Sequence, residues 1–344
     1  MRAIVIHGAG DLRLDERPDE TPGPGEVLIA IEVGGVCGSD LHYYRHGGFG
    51  AIRLREPMIL GHEVAGRVVE VGQGVAGLRK GMRVAINPSR PCGTCRDCLE
   101  GLPNHCLDMR FYGSAMRLPH IQGAFRDSLV AKAEQCVVVP DSLSAGEAAM
   151  AEPLSVALHA ARQAGELLGR RVLVIGSGPI GALVILAARR AGAAEIVATD
   201  IADPPLAHAI RVGADRAVNI ATEPEALGPY GADKGTFDVL FEASGSGPAL
   251  VRALDAVRPK GVVVQLGLGG ELSLAINTLV VKELQLRGSF RFHAEFRIAV
   301  ELMAKRLVEV QPLITHTFGL DDAVRAFETA ADRSQAMKAQ IAFA

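Results

Sequence analysis

The sequence contains no tryptophan, and only 4% of its residues are aromatic. Hydrophobic residues still make up 49% of the composition, so the cores must be built mainly from aliphatic side chains. At 344 residues the chain is long enough for two domains, each stable without covalent cross-links.

The chain also lacks an excess of charge of either sign, with a formal net charge of -3. This balance excludes a general attraction to nucleic acid or to an anionic membrane surface. Long hydrophobic runs are equally scarce. The first apolar run is too short for a signal peptide, and Gly-Ser-Gly-Pro breaks the uncharged segment 172–188 into a strand and a helix. We therefore expect a cytoplasmic protein with neither a nucleic-acid partner nor a membrane partner.

Cysteine is scarce too, but four of the six cysteines are concentrated in PCGTCRDCLEGLPNHC. In a reducing cytoplasm, such a cluster is more typical of metal ligands than of disulfides. Four thiolates form a closed tetrahedral shell around Zn²⁺, which leaves no position for a substrate and predicts a structural site. The alternatives are a disulfide pair, an iron–sulfur cluster and a zinc knuckle that binds nucleic acid. The predicted ligands are Cys92, Cys95, Cys98 and Cys106.

The pattern of predicted secondary structure changes near Pro140. Before it, short segments rich in Val, Ile and Gly predict a compact β domain. After it, a helix that starts near Pro153 and stops at Gly169 precedes alternating strands and helices. This alternation predicts βαβ units and a parallel sheet with helices on both faces, so the fold class is α/β. The C-terminal part contains an amphipathic helix at about 295–307 and ends in a strand.

The segment VLVIGSGPIG places Gly176, Gly178 and Gly181 in a G-x-G-x-x-G pattern between a strand and a helix. In this context the first glycine allows a tight turn, the second lets the pyrophosphate approach the backbone, and the third lets the helix pack on the strand. Asp200 ends the next strand, where a carboxylate accepts the ribose hydroxyls and repels a 2′-phosphate. No Arg or Lys follows before Arg211, so the pattern favours NAD over NADP. The alternative is a glycine-rich turn of a flavodoxin-like or ligand-free domain.

A second group of potential ligands is spread along the chain. GGVCGSDLHYY contains Cys37, LGHEVAG contains His62 and Glu63, and MAEPL contains Glu152. One thiolate, one imidazole and one carboxylate leave a fourth position on zinc vacant, which is the pattern of a catalytic site. The sixth cysteine, Cys136, lies in an apolar segment and is predicted to be an inert strand residue.

The motif GHEVAGRVVEVG, the four-cysteine segment, AEP and GSGPIG follow one another in this order. With them the chain resembles the zinc-dependent medium-chain alcohol and polyol dehydrogenases over essentially its whole length. Within that family, NPSRPCGTCRDCLEGLPNHCLDMRFYGSAM and GSFRF are similar to the L-idonate 5-dehydrogenases, with sorbitol and xylitol dehydrogenases as neighbours. The resemblance implies a GroES-like β-barrel catalytic domain at 1–150, with a structural-zinc lobe at about 90–107. It further implies a Rossmann NAD-binding domain with a doubly wound parallel sheet at 151–288, and a segment at 289–344 that completes the catalytic domain.

The resemblance also implies roles around the catalytic zinc. Alcohol dehydrogenases of the family have a cysteine as third ligand, whereas this chain has Glu152, as the polyol enzymes do. The resemblance leaves two assignments open for Glu63 and Glu152. One of them binds the zinc directly, and the other acts through a water molecule. Asp40 would orient the zinc-bound histidine. Ser39 and His42 would relay the proton of the substrate hydroxyl, with a water on Glu152 as the alternative relay.

Around the cofactor, Pro205 stands where relatives have an arginine near the adenosine, so that contact is absent. The resemblance implies a homodimer or a homotetramer. The implied cofactor contacts beyond the glycines and Asp200 are Pro179, Ile180, Leu266, Gly267, Leu268, Ser289 and Phe290.

The predicted reaction is hydride transfer from a secondary alcohol of a sugar acid to NAD, and by resemblance the conversion of L-idonate to 5-keto-D-gluconate. The substrate carboxylate needs a cation, and the bidentate fork of arginine suits it. Arg291 in GSFRF is the predicted substrate residue, ahead of Arg110, Arg117, Arg53 and Arg55. The alternatives are a sorbitol- or xylitol-type polyol dehydrogenase and a non-catalytic nucleotide-binding protein with a zinc lobe.

Overall fold

A computed structural model describes residues 1–343. The N-terminal part is built mainly from strands, with the bounds β1 Arg2–Gly8, β2 Asp11–Glu16, β3 Glu26–Gly35, β4 Gly48–Phe49, β5 Ile52–Arg53, β6 Met58–Ile59, β7 Glu63–Val71, β8 Arg83–Ile86, β9 Ser89–Arg90, β10 Arg110–Phe111, β11 Ser128–Lys132 and β12 Cys136–Val138. The helices of this part are α1 Gly38–His46, α2 Arg96–Leu99 and α3 Ala145–Ala149.

Strands and helices alternate in the rest of the chain. The strands are β13 Arg171–Ile175, β14 Glu195–Asp200, β15 Arg216–Asn219, β16 Phe237–Glu242, β17 Val257–Gln265, β18 Gln285–Gly288, β19 Ile314–Gly319 and β20 Lys338–Ala342. The helices are α4 Ala151–Ala164, α5 Pro179–Arg190, α6 Asp203–Arg211, α7 Gly247–Ala253, α8 Ile276–Lys282, α9 Glu295–Ala304 and α10 Ala323–Ala331.

The largest sheet is centred on β3 and has the order β12-β8-β7-β3-β20-β19, with β11 also paired to β3. Val27, Ile29 and Ile31 of β3 are buried and alternate with partly exposed residues, as expected for a strand with one face in a core. Because β20 pairs with β3, with Ile341 opposite Gly34, the C-terminal strands belong to the same sheet as the N-terminal strands.

The second large sheet is parallel throughout and has the order β15-β14-β13-β16-β17-β18. This is the order of dinucleotide-binding folds, whose ligands lie at the carboxyl ends of the central strands. Val172 and Val174 of β13 pack in one core with α4, α5 and α9. Leu173 and Ile175 face the opposite side, where α7 packs. The sheet is therefore covered by helices on both faces, and the predicted fold class is confirmed.

Two predicted helix ends are wrong. Helix α4 ends at Ala164 and not at Gly169, because Gly165 adopts a φ of 86°, which takes the chain out of the helix. Helix α9 ends at Ala304 and not at residue 307, since Arg306 lies in the left-handed region with a φ of 53°. Apolar periodicity continued past both of these backbone turns. None of the helices within residues 1–343 is both long and apolar enough to cross a membrane.

Candidate active site and metal centres

The four clustered cysteines form one compact lobe in which their sulfur atoms all lie within 4.8 Å of one another. Cys95 Sγ and Cys106 Sγ are 4.0 Å apart. Two sulfur ligands on a tetrahedral zinc are separated by about 3.8 Å when each Zn–S bond is about 2.3 Å. All six cysteines lie within the described residues and are free thiols, so the disulfide alternative is wrong.

Backbone N–H groups of the lobe are directed at these sulfurs. The Cys92 N–H donates to Cys106 Sγ at 3.1 Å, and the Asp108 N–H donates to the same sulfur at 3.3 Å. The backbone N–H and hydroxyl of Thr94, together with the Cys95 N–H, lower the pKa of Cys92 to about 6. Donors of this kind stabilise thiolates, so the lobe fits a zinc ion held by four sulfurs. A closed shell of that kind leaves no coordination position for a substrate.

The second group of ligands is assembled by the start of α1 and the start of β7. Donor atoms of Cys37, His62 and Glu63 all lie within 4.8 Å of one another. Asp40, which is fully buried, connects the two elements. Its carboxylate accepts the Cys37 N–H at 3.0 Å and the Gly61 N–H at 3.2 Å.

The charges and hydrogen bonds of this group fit a metal cation. His62 Nδ1 is buried without a hydrogen-bond partner and lies 3.8 Å from Asp40 Oδ1. Burial, followed by the neighbouring Glu63 carboxylate, raises the pKa of the Cys37 thiol to about 12. Burial likewise raises the pKa of Glu152 to about 8, although His62 opposes the shift. Several groups that bind metals as anions are thus crowded into a site with little solvent, and a bound cation would stabilise them.

Lys338 is a member of this site that the sequence analysis missed. Its buried ammonium donates to both Glu63 oxygens, at 2.9 and 2.7 Å, and to the Val36 carbonyl at 3.2 Å. Burial opposes the positive charge, but Glu63 and Cys37 together raise the pKa of Lys338 above its usual value. Lys338 directly precedes the predicted final strand, and nothing in the local sequence marks it as a partner of Glu63.

A cavity of about 1090 Å³, which we call the large cavity, separates α1 from the carboxyl ends of the parallel strands. Its lining includes the predicted residues Cys37, Ser39, His42, Ile180, Leu266, Gly267 and Leu268. The structure therefore brings predicted zinc, proton-relay and cofactor residues to one cleft. Such a crevice at the carboxyl edge of a parallel sheet is where nucleotides bind in this class of fold.

The glycine-rich turn after β13 has the geometry of a phosphate cradle. Gly176 adopts a φ of 84°, and a Cβ on Gly181 would lie 1.8 Å from the Gly176 carbonyl oxygen. Only glycine fits at Gly181, whereas a Cβ on Gly178 would meet no atom within 4 Å. That open space lies at the N-terminus of α5, which begins at Pro179, and it fits an approaching pyrophosphate.

Asp200 ends β14 beside this turn and is almost fully buried. Its carboxylate accepts the Ser177 N–H at 2.8 Å and the Ile201 N–H at 2.7 Å. These bonds hold the carboxylate at the position where an adenosine ribose lies in dinucleotide-binding folds. Pro205, also buried, lies in the first turn of α6 and supplies no donor to a nucleotide.

Comparison with known proteins agrees with both halves of this arrangement. The family model "Alcohol dehydrogenase GroES-like domain" matches residues 23–141, and "Zinc-binding dehydrogenase" matches residues 179–305. L-idonate 5-dehydrogenase (NAD(P)(+)) of Escherichia coli K12 is 44% identical over 343 residues, which cover 99% of this chain and 98% of that protein. The chain belongs to the zinc-binding dehydrogenase family.

Other relatives of this dehydrogenase support the same conclusion. Sorbitol dehydrogenase of Gallus gallus is 38% identical over 331 residues, covering 95% of this chain and 92% of that protein. The crystal structure of L-idonate 5-dehydrogenase from Escherichia coli K-12 matches with a TM-score of 0.95 at 42% identity, covering 99% of this chain and 97% of that chain. The predicted family and the use of zinc with a nicotinamide cofactor are therefore confirmed.

Arg291 lies on the dehydrogenase's loop 289–291, where its backbone has a φ of 55°. Its guanidinium stacks on the ring of Phe111 at 4.6 Å and on that of Phe290 at 5.0 Å. The Phe111 ring in turn lies 5.4 Å from the His62 ring, measured between centroids. One aromatic ring thus separates the predicted substrate arginine from a predicted zinc ligand. Phe111 was not predicted, and nothing in its local sequence marked it.

The cysteine lobe contacts this same loop. Asn104 Nδ2 donates to the Phe290 carbonyl at 3.2 Å, and the His105 ring stacks on the Phe290 ring with centroids 5.8 Å apart. On its other side the loop is tied to the parallel sheet, since the Ser289 N–H donates to the Gln265 carbonyl at 2.9 Å. The contact between the lobe and this loop was not predicted from the sequence.

Some predicted residues lie apart from these groups. Glu152 lies outside the set of donor atoms that surrounds Cys37, and Ser289 and Phe290 are not among the residues that line the large cavity. Arg110 is exposed on β10. Cys136 is buried on β12, where burial raises the pKa of its thiol to about 12.

Proposed function

We propose that this dehydrogenase oxidises the secondary alcohol of a sugar acid, with L-idonate as substrate and NAD as hydride acceptor. The observation that supports it most directly is the placement of Arg291 one aromatic ring away from His62. A cation at that position can hold the carboxylate of a sugar acid while a hydroxyl of the same molecule reaches the metal ligands. The similarity to the Escherichia coli L-idonate 5-dehydrogenase supports the same substrate.

When bound, zinc supplies a Lewis acid for the substrate hydroxyl and the nicotinamide accepts the hydride. In our proposal Cys37, His62 and Glu63 hold the catalytic zinc, and Glu152 contributes through water. Asp40 restrains the orientation of the His62 ring, because its carboxylate lies 3.8 Å from His62 Nδ1. The structural zinc is held by Cys92, Cys95, Cys98 and Cys106.

Ser39 and His42 provide a path for the substrate proton. Both line the large cavity, and the His42 side chain reaches solvent. Partial burial and the neighbouring residues His46 and Arg45 lower the pKa of His42, so its ring is neutral and able to accept a proton near pH 7. The proton passes from the substrate hydroxyl to Ser39 Oγ, then to the His42 imidazole, and from there to water.

Asp200 supports NAD as the preferred cofactor. A carboxylate at that position accepts ribose hydroxyls and repels a 2′-phosphate, and the chain has no Arg or Lys from Ile201 to Ile210. Oxidation rates with NAD and NADP measured side by side test this preference.

The substrate proposal predicts that Arg291→Gln lowers kcat/KM for L-idonate by about 10- to 100-fold, because a charge-assisted hydrogen bond is lost. The rate with sorbitol, a neutral polyol, should change little. Arg79→Gln, which alters an exposed arginine elsewhere, is the control. Steady-state kinetics with L-idonate, sorbitol and xylitol provide the measurement, and equal losses on charged and neutral substrates would contradict the role of Arg291.

A polyol dehydrogenase with a neutral substrate is the second candidate. It is favoured by the 38% identity to sorbitol dehydrogenase and by a glutamate at position 152. A wild-type enzyme that oxidises sorbitol or xylitol much faster than L-idonate would establish this alternative.

We also propose that two copies associate through the outer edge of the parallel sheet. β18 is an end strand, and apolar side chains on it and on α8 are exposed, with Val280 at 67%, Val281 at 83% and Leu286 at 45%. A second copy paired along β18 would cover this surface. Light scattering of the purified protein should give at least twice the mass of one chain, and a monomer would refute it.

The proposed domain boundaries follow the two large sheets. Residues 1–150 together with 289–344 form the catalytic domain, and 151–288 form the NAD-binding domain. We propose a cytoplasmic location, where reducing conditions keep the zinc-binding thiols free.

A further inference from the structure

A smaller cavity of about 270 Å³ lies between the segments 51–55 and 115–120. We call it the arginine pocket, because Arg53, Arg55 and Arg117 line it. Among the described residues that form its lining there is no Asp or Glu. Three arginines around one small concave space carry a positive potential that favours an anion.

Most of this positive charge is not compensated by nearby acids. Arg53 Nη1 donates to the carbonyl oxygens of Gly50 and Ile52, at 2.6 and 2.8 Å, and these acceptors carry no net charge. The Arg55 guanidinium makes no hydrogen bond or ion pair with any residue in the described part of the chain. Arg117 alone is paired, with Asp108. Two of the three guanidinium charges are therefore available to a ligand.

The walls of the arginine pocket are held in place by a buried histidine. His120 Nε2 accepts the backbone N–H of Arg55 at 2.9 Å, so the ring proton lies on Nδ1. Nδ1 in turn donates to the backbone carbonyl of Arg117 at 2.6 Å. The His120 N–H donates to the Glu56 carboxylate at 2.6 Å. These bonds join the two segments that carry the arginines, so the pocket is formed before any ligand arrives.

The arginine pocket adjoins the proposed active site. Arg53 lines both this pocket and the large cavity. Met116, another lining residue, has its sulfur 3.0 Å from Arg291 Nη2. A ligand in the pocket would therefore lie at the rim of the cleft that holds the reacting groups.

We propose that the arginine pocket binds an oxyanion at the rim of the active site. The anion is a carboxylate or a phosphoryl group, since planar guanidinium groups bind both through paired N–H donors. The carboxylate source rests on the proposed function, because it would be a second sugar-acid molecule beside the one whose carboxylate Arg291 holds, whereas the phosphoryl source does not depend on it.

The test is titration calorimetry of inorganic phosphate into the zinc-loaded enzyme saturated with NAD, which occupies the glycine-rich turn, at constant ionic strength. We expect one phosphate per chain, and at least about tenfold weaker binding in Arg55→Gln, which loses an unpaired charged donor. Arg53→Gln should weaken binding as well and serves if Arg55→Gln fails to fold. Arg79→Gln is the matched control for the loss of one positive charge.

Two further variants locate the anion. Arg291→Gln and Cys37→Ser should both bind phosphate as the wild type does, because neither residue lines the arginine pocket. The proposal is overturned if phosphate does not bind in the millimolar range, or if Arg55→Gln and Arg53→Gln bind it as Arg79→Gln does. It is also overturned if Cys37→Ser abolishes binding, since the phosphate would then sit on the catalytic metal.

Competition identifies the source of the oxyanion. Displacement of phosphate by L-idonate but not by sorbitol assigns the pocket to a sugar-acid carboxylate. Displacement by neither assigns it to phosphoryl groups. Because phosphate binding is measured without turnover, a failure of the enzyme to oxidise L-idonate would leave the result on the pocket intact.

Discussion

At the scale of single residues, the Lys338–Glu63 ion pair distinguishes the two glutamates proposed to hold the catalytic zinc. The sequence left Glu63 and Glu152 as equivalent ligands, but Glu63 lies within 4.8 Å of the Cys37 and His62 donor atoms. A carboxylate has enough lone pairs to accept from an ammonium and to bind a metal at the same time. The Lys338 bond therefore orients Glu63 without excluding it from the metal.

This geometry predicts that Glu63→Gln weakens catalytic zinc binding by about a hundredfold, whereas Glu152→Gln weakens it only about tenfold, as expected for a ligand acting through water. Chelator competition, which counts the two zinc ions separately, provides the measurement. Lys338→Gln is the control for breaking the buried ion pair. A larger loss in Glu152→Gln than in Glu63→Gln would reverse the assignment.

At the scale of elements, the cysteine lobe contacts loop 289–291, which carries the proposed substrate residue Arg291. Asn104 and His105 hold the Phe290 backbone and ring, and Arg291 follows directly in the chain. The lobe binds no substrate in our proposal, yet it keeps the guanidinium of Arg291 in position. In our proposal the crowded thiols therefore act on the active site indirectly, through the loop that carries Arg291.

We predict that Asn104→Ala raises KM for L-idonate about three- to tenfold, because loss of one hydrogen bond costs about 1 kcal/mol and loosens Arg291. KM for NAD and the kinetics with sorbitol should be nearly unchanged. Gln73→Ala, which removes an exposed amide side chain between β7 and β8, is the control. If charged and neutral substrates are affected equally, Asn104 has only a general structural role.

At the scale of the whole molecule, the C-terminal segment joins the two sheets. Helix α9 packs on α4, while β20 completes the sheet around β3. The contact between α9 and α4 includes a buried carboxylate. Glu295 Oε1 accepts from Arg162 at 2.8 Å and lies 3.3 Å from His159 Nδ1, and its other oxygen accepts the His293 N–H at 2.8 Å.

This contact makes stability depend on pH. Burial would raise the pKa of Glu295, but His159 and the His293 N–H hold it at about 2, below the value of about 4.3 for an unfolded chain. The stabilisation is therefore complete above about pH 4.3 and is lost as the pH falls towards 2.

Glu295→Gln should lower the free energy of unfolding by about 1–3 kcal/mol at pH 7, because charge-assisted hydrogen bonds are lost. The difference from the wild type should shrink below about pH 4. Urea unfolding at several pH values gives both quantities, and Glu301→Gln, which removes an exposed ion pair of the same helix, should cost less than about 0.5 kcal/mol. A difference that stays constant into acid would show that Glu295 acts by packing alone.

The features that depend on nearby residues could be predicted from the sequence. The four cysteines, the G-x-G-x-x-G turn and the strand before it each need only a short segment, because spacing alone places their backbone atoms and ligands. Helix ends were less predictable, since Gly165 and Arg306 leave the helix while the apolar pattern continues.

The contacts between distant segments were decided only by the tertiary structure. Lys338 reaches Glu63 because β20 pairs with β3 beside β7, and no local pattern encodes that register. Arg291 is set against Phe111 and Asn104 by the docking of the lobe on loop 289–291. The sequence by itself determined which chemical groups this dehydrogenase has. The packing of the two sheets decided which of them meet, because side chains hundreds of residues apart become neighbours only when the intervening chain folds.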